Sequence, residues 1–223
     1  MKGLFKILLV IAAVVLVYLC VMSILDPIHF DKEKEKRDKA VIQRLIDIRK
    51  AQVEYRNING HYTASFDTLV DFVQNGKIPF VIKEGVLTDQ QLESGLNEEK
   101  ALKIVLSGKQ SEIEKNGLVG FRRDTVYVNV IDTVFPNPSF VADSLPFVPG
   151  TDVKFEMNIG EIKSASGFPM KVFEAKTPYD VYLKGLDKQE IINLKDRAKK
   201  LDKYPGLQVG SIVIANNNAG NWE

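Results

Sequence analysis

Cysteine is almost missing from this chain: its 223 residues include one, Cys20, and that one lies inside an apolar run. An internal disulfide is thereby excluded, as is any cysteine-based zinc site in the remainder. Histidine is nearly as scarce. With only His29 and His61 present, a histidine-rich metal site cannot be built, and a Ser-His-Asp triad would have to use one of these two. An excess of either charge is lacking too. Thirty Lys and Arg face 29 Asp and Glu, a net +1, so no bulk field favours phosphate backbones or anionic lipid, and nucleic acid is not an expected partner. GxSxG, HExxH, P-loop and GxGxxG motifs are absent, and neither a catalytic residue, a metal nor a cofactor is expected.

What the chain does have is an ordinary globular composition, 45% hydrophobic and 26% charged, with one apolar segment added. Residues 7–25, Ile7 to Leu25, carry no charge; as a helix at about 1.5 Å per residue they span roughly 28 Å, the thickness of a hydrocarbon core. A cleavable signal would need a shorter apolar core and a small-x-small site, and "VYLCVMSILD" offers none. An uncleaved transmembrane anchor is the reading. Lys2 and Lys6 precede it, whereas the basic residues after it alternate with acids. A bare count of Lys32, Lys34, Lys36, Arg37 and Lys39 against Lys2 and Lys6 favours the opposite orientation, but large C-terminal domains translocate regardless of flanking charge and the basic tip resembles the start of a secretory signal; residues 1–6 are expected as a cytoplasmic tip and the bulk of the chain outside the cytoplasm.

Residues 26–39, "DPIHFDKEKEKRDK", read as a charged linker. Pro27 stands where a proline kinks or interrupts a helix, and Glu33 with Arg37 and Glu35 with Lys39 are favourable i,i+4 pairs. The linker serves either as a polar spacer or as a charged patch for lipid or a partner. Residues 40–223 read as one extracytoplasmic domain. Val41, Leu45, Ile48, Gln52 and Tyr55 recur at helical spacing, so one face of this helix needs a cover. Asn59-Gly60 supplies a left-handed stop, and Ser65 caps a second helix that Asn75-Gly76 ends.

Further on, Thr88 and Asn97 are N-cap candidates for short helices in "DQQLES" and "EEKALKIVL", and "KQSEIEKNG" is a third fragment closed by Gly117. "RRDTVYVNVIDTVF" alternates as a strand does, with Val126, Val128 and Val130 on one side. "DVKFEMNI" puts Val153, Phe155 and Met157 on one face; Ser164 to Gly167 would turn it into "FPMKVFEA" as a hairpin. Asp187 and Glu190 form a capping-box pattern ahead of a one-faced helix ended by Tyr204-Pro205-Gly206, and "LQVGSIVIA" reads as a last strand. Helices and strands in separate blocks predict an α+β fold with a small antiparallel sheet.

A long N-terminal helix, membrane-spanning in its first half and amphipathic in its second, followed by "IRKAQVEYRNINGHYTASFDTLVDF", resembles type IV pilin and pseudopilin subunits. The "KEKEKR" linker and the Gly220-Asn221-Trp222 ending also resemble single-pass envelope proteins of Bacteroidota. The resemblance covers about the first 80 residues and the last few. Leu8 occupies the place where the pilin pattern has its glutamate, so what the resemblance implies is a pilin-like shape and not a filament.

The remaining chemistry-bearing residues have plain readings. His61, beside Tyr62, is a turn residue before it is a base. Asp67 and Asp71 share one helical face, as carboxylates on wet surfaces commonly do. The "NNNAGNWE" tail invites a calcium reading, but no carboxylate cluster accompanies it and calcium sites take several acidic ligands; Trp222 is expected to pack on the sheet and tie down the chain end. Two functions remain in view. One is a non-enzymatic structural or assembly subunit of the bacterial envelope, anchored in the inner membrane with a periplasmic bulk and inner-membrane or periplasmic protein partners. The other is a membrane-tethered binding or enzymatic domain.

Overall fold

The apolar run and the amphipathic stripe belong to one element. Helix α1 (Lys2–Asn59) is 58 residues long, about 87 Å at 1.5 Å per residue. It continues through Pro27 without a break: the proline deletes a single N–H donor, and the turns on either side carry the helix past it, so an interruption there does not occur. The computed structural model describes residues 2–163 and 167–223. After α1 come α2 (Phe66–Asn75), β1 (Lys77–Glu84), α3 (Asp89–Glu93), α4 (Glu98–Leu106), α5 (Gln110–Lys115), β2 (Arg122–Asn129), α6 (Val130–Val134), β3 (Glu156–Lys163), β4 (Pro169–Pro178), α7 (Tyr179–Tyr182), α8 (Lys188–Lys200) and β5 (Gly206–Gly210). The architecture is α+β, with a long N-terminal apolar helix and small antiparallel sheets.

Where one domain was expected over residues 40–223, the chain divides into two units. Residues 1–71 and 141–223 form the first, and residues 72–140 the second. In the first, the stripe on α1 is buried over Val41, Leu45, Ile48 and Gln52, with Ala51 beside them, each exposing at most 1% of its surface, while Tyr55 at its end is only half-buried. Gly60, at φ +75, closes the helix and donates its N–H to the Arg56 carbonyl at 2.8 Å. The Ser65 hydroxyl accepts from the Thr68 N–H at 3.2 Å and caps α2. The cover for the stripe is the antiparallel sheet β3-β4-β5, whose β4 and β5 pack against α1. β3 and β4 pair from Glu156↔Lys176 to Lys163↔Pro169, and β4 and β5 from Glu174↔Gly210 to Pro178↔Gly206. The turn expected at Ser164–Gly167 lies largely outside the described residues. Phe155 and Met157 face the core as expected, whereas Val153 precedes β3 and stays exposed.

Two ends differ from the sequence reading for local reasons. The last strand stops at Gly210, which sits at φ +69, instead of running to Ala215. Beyond it the Ser211 hydroxyl accepts from the N–H groups of Val213 and Ile214 at 3.1 and 3.2 Å, a side-chain turn that competes with the ladder. Helix α8 ends at Lys200, short of Tyr204-Pro205-Gly206: Asp202 adopts φ +50, Asp202 N–H bonds the Lys199 carbonyl, and Lys203 N–H reaches the Ala198 carbonyl at 2.9 Å. This 6→1 and 5→2 pattern is a Schellman closure.

The stretch read as a linker, 26–39, is docked from Phe30 onward. Phe30 is 6% exposed, and Arg37 does not pair with Glu33 but donates to the carbonyls of Tyr182 and Lys184 at 3.0 and 2.9 Å. Lys34 pairs with Asp38 and Lys39 with Glu35, both at 2.6 Å.

In the second unit β1 and β2 pair antiparallel along their whole length, Lys77↔Asn129 to Glu84↔Arg122. Strand β1 went unread: Pro79 sits in it and "IPFVI" shows no alternation. The alternation read through Val130 and Ile131 breaks at Asn129, after which α6 forms and buries Val130. A core of Leu87, Ala101, Leu118 and Phe121 is covered by Ile104 and Val105 of α4 and Ile113 of α5. Thr88 and Asn97 cap α3 and α4 as expected. Arg123 stacks on Phe121 at 4.0 Å and donates to the Glu84 carbonyl and to Glu98.

Candidate functional site

The surface that departs most from an ordinary globular one is the first part of α1. Between Leu8 and Leu19 its large apolar side chains expose 49–64% of their area, and no part of the most apolar window is covered. This one helix is long and apolar enough to cross a membrane.

Above that span, the first unit has a groove of about 330 Å³ between α1, α7, α8 and the chain end. Its floor is apolar, with Ile42, Leu194 and Leu207, and its walls are the half-buried rings of Tyr179, Tyr204 and Trp222. Arg197 and Lys203 lie on it, and neither has an ion-pair partner among the described residues. On the α1 side Asp38 is neutralised by Lys34. Burial pushes the Tyr204 phenol up to about 12, helped by the charges of Glu156 and Glu174. Burial also raises Tyr179, and burial followed by the charge of Asp38 carries Tyr182 well above the usual phenol range. All three hydroxyls keep their protons at neutral pH. Two further hollows flank the same unit, one of about 800 Å³ beside Arg37, Asp152 and Asp180, the other of about 250 Å³ beside His61 and Lys171.

The residues singled out in the sequence do not converge. His61 is exposed, with Nδ1 2.9 Å from the Asn59 carbonyl and its ring edge-on to Tyr55. His29 is exposed on α1, and roughly 45 Å of helix at 1.5 Å per residue separates it from Asn59. Asp67 and Asp71 are exposed on α2. The asparagine run makes a turn: Asn217 and Asn218 adopt φ +53 and +59, and Ala219 N–H bonds the Asn216 carbonyl at 3.0 Å. Two successive left-handed residues define a type I′ reversal, for which asparagine is suited. No group of three or more His, Cys, Asp or Glu positioned for a metal ion occurs among the described residues. The turn brings Gly220 into a bridge with Val209 of β5. Asn221 then donates to the Gly206 carbonyl, and Glu223 pairs with Arg49 at 2.7 Å. Trp222 follows with its ring against Gly220, and it forms a wall of the groove as well as part of the tie. Sequence reasoning did not bring Arg197, Lys203, Tyr204 and Trp222 together. The one local signal was the run "KDRAKKLDKY", which holds Arg197, Lys203 and Tyr204 but not Trp222 and on its own describes any wet helix end.

No family model, curated protein or solved structure matches this chain.

Proposed function

We propose that the chain is a single-pass structural or assembly subunit of the bacterial cell envelope, non-enzymatic, held in the inner membrane with its bulk in the periplasm. It acts through protein–protein contacts in a trans-envelope machine and has a pilin-like shape. The observation that carries this reading is the continuity of α1. One unbroken helix is bare and apolar from Leu8 to Leu19 and then turns its buried stripe, Val41 to Gln52, against an antiparallel sheet. Ten large apolar side chains in the bare part, each 49–64% exposed, leave roughly 9–18 kcal/mol of unrealised burial in water at about 1.5–3 kcal/mol for a fully exposed side chain, which a bilayer supplies. The packing of that stripe on β4 and β5 joins the helix to its load, so a position set in the membrane is passed to the first unit.

Cys20, the sole thiol, provides the test. In intact membranes it should resist an aqueous maleimide and react once the chain is denatured. An added thiol at Asn217, exposed on the tail turn, should label from the periplasmic side. Rapid labelling of Cys20 in intact membranes, or release of the chain by alkaline carbonate, would overturn the anchor. Photocrosslinkers at exposed positions of both units that yield no protein adducts in cells would overturn the assembly role.

A further inference from the structure

The groove on the first unit has the features of a ligand site, and we infer that it binds a soluble phosphate monoester carried on a flat apolar or aromatic body. Three observations converge. The first is charge. Arg197 and Lys203 line the same groove at its exposed rim and have no ion-pair partner among the described residues, while the one carboxylate lining it, Asp38, is already held by Lys34 at 2.6 Å. Two free cations match the charge of about −1.5 to −2 that a phosphate monoester carries near neutral pH better than the single charge of a carboxylate. A guanidinium also offers the forked donors that phosphate oxygens accept.

The second is the wall. Three aromatic side chains, Tyr179, Tyr204 and Trp222, border a floor of Ile42, Leu194 and Leu207. Flat rings beside an apolar floor suit a planar body, and the two phenols, protonated at neutral pH as any tyrosine is, are donors. A volume of about 330 Å³ lies at the small end of the roughly 300–1,000 Å³ typical of small-molecule sites.

The third is position. Lys34 and Ile42 stand nine and seventeen residues beyond Leu25 on α1, about 14 and 25 Å along the helix at 1.5 Å per residue. Lipid headgroups extend only about 5–7 Å past the hydrocarbon core. The groove therefore stands above the lipid phosphates, and its ligand arrives from the aqueous side. The position rests on the membrane anchor proposed above, whereas the site does not depend on the assembly role and extends beyond it.

Trp222 is the only tryptophan in the chain, so its emission reports on the groove without labelling. The full-length chain in zwitterionic nanodiscs is titrated with phenyl phosphate, inorganic phosphate and benzylamine. Phenyl phosphate should shift Trp222 emission saturably. Inorganic phosphate should bind at least tenfold more weakly, and benzylamine, the same ring with a cation, should produce no saturable shift. Arg197→Gln with Lys203→Gln should weaken phenyl phosphate at least tenfold, and Lys199→Gln, an exposed lysine off the groove, should leave it unchanged. The proposal is overturned by an absence of saturable response to phenyl phosphate, by an undiminished response in the double variant, or by equal binding of benzylamine. Nanodiscs doped with phosphatidic acid should not shift the emission; a shift there would assign the phosphate to a lipid and overturn the soluble source.

Discussion

Gln52 is the polar member of an otherwise apolar stripe, and it is fully buried. Its amide is satisfied on both sides: Nε2 donates to the Thr63 carbonyl at 2.6 Å, and Oε1 accepts from the Thr63 N–H at 3.2 Å. One side chain thus replaces the backbone pairing that Thr63 would otherwise seek after the reversal at Gly60. Met157 Sδ, 3.0 Å from Nε2, joins the same contact from β3. Gln52→Leu keeps the volume and removes both bonds, leaving a buried N–H and a buried carbonyl at a cost of about 1–3 kcal/mol each. The expected outcome is a lowered urea midpoint for the full-length chain in detergent, followed by Trp222 emission. An unchanged midpoint would mean that water or another group takes over both partners.

At the scale of elements, charge in the early part of α1 divides its work. Lys39 and Glu35 face solvent and form the i,i+4 pair their spacing predicts, a contact worth a few tenths of a kcal/mol. Arg37, two residues away, instead closes the C-terminal end of α7 by donating to two carbonyls there. Arg37→Ala leaves those acceptors to water and should cost roughly 1–3 kcal/mol, as charged donors to carbonyls do. Amide exchange of Leu183 and Leu186, whose N–H groups bond the Tyr179 and Leu183 carbonyls, should accelerate, while that of the β4 ladder should not. Equal acceleration in both would show that Arg37 supports the whole unit and not α7 alone.

For the molecule as a whole, the response to base follows from groups whose protonated form the fold prefers. Tyr204 is pushed from 10.0 up to about 12, first by burial and then by Glu156 and Glu174. Lys176 is pulled down by burial but raised more by Glu174, which it meets at 2.7 Å, and by Glu156. Both folded values lie above the unfolded ones. The stability they contribute is therefore complete below about pH 10 and is lost as pH rises from 10 towards 12. Urea midpoints measured from pH 8 to 12 should be flat at first and then fall, and Tyr204→Phe should make the fall shallower. A midpoint that rises through this window would contradict the packing of Tyr204.

Much of this was legible from local pattern. The span, the stripe on Val41 to Gln52, the stop at Gly60 and the caps at Ser65, Thr88, Asn97 and Asp187 depend on residues within one or two turns of each other. Their physics is short-ranged, so the amino-acid order alone determined a long apolar helix leading into an α+β body. Tertiary structure decided the rest. Arg37 acts on carbonyls 145 and 147 positions away. Strand β1 exists because β2 pairs with it, not because "IPFVI" alternates. The groove takes its lining from α1, α7, α8, β5 and the chain end, and a cation becomes distinct from an ordinary surface charge only when distant segments place it beside half-buried rings.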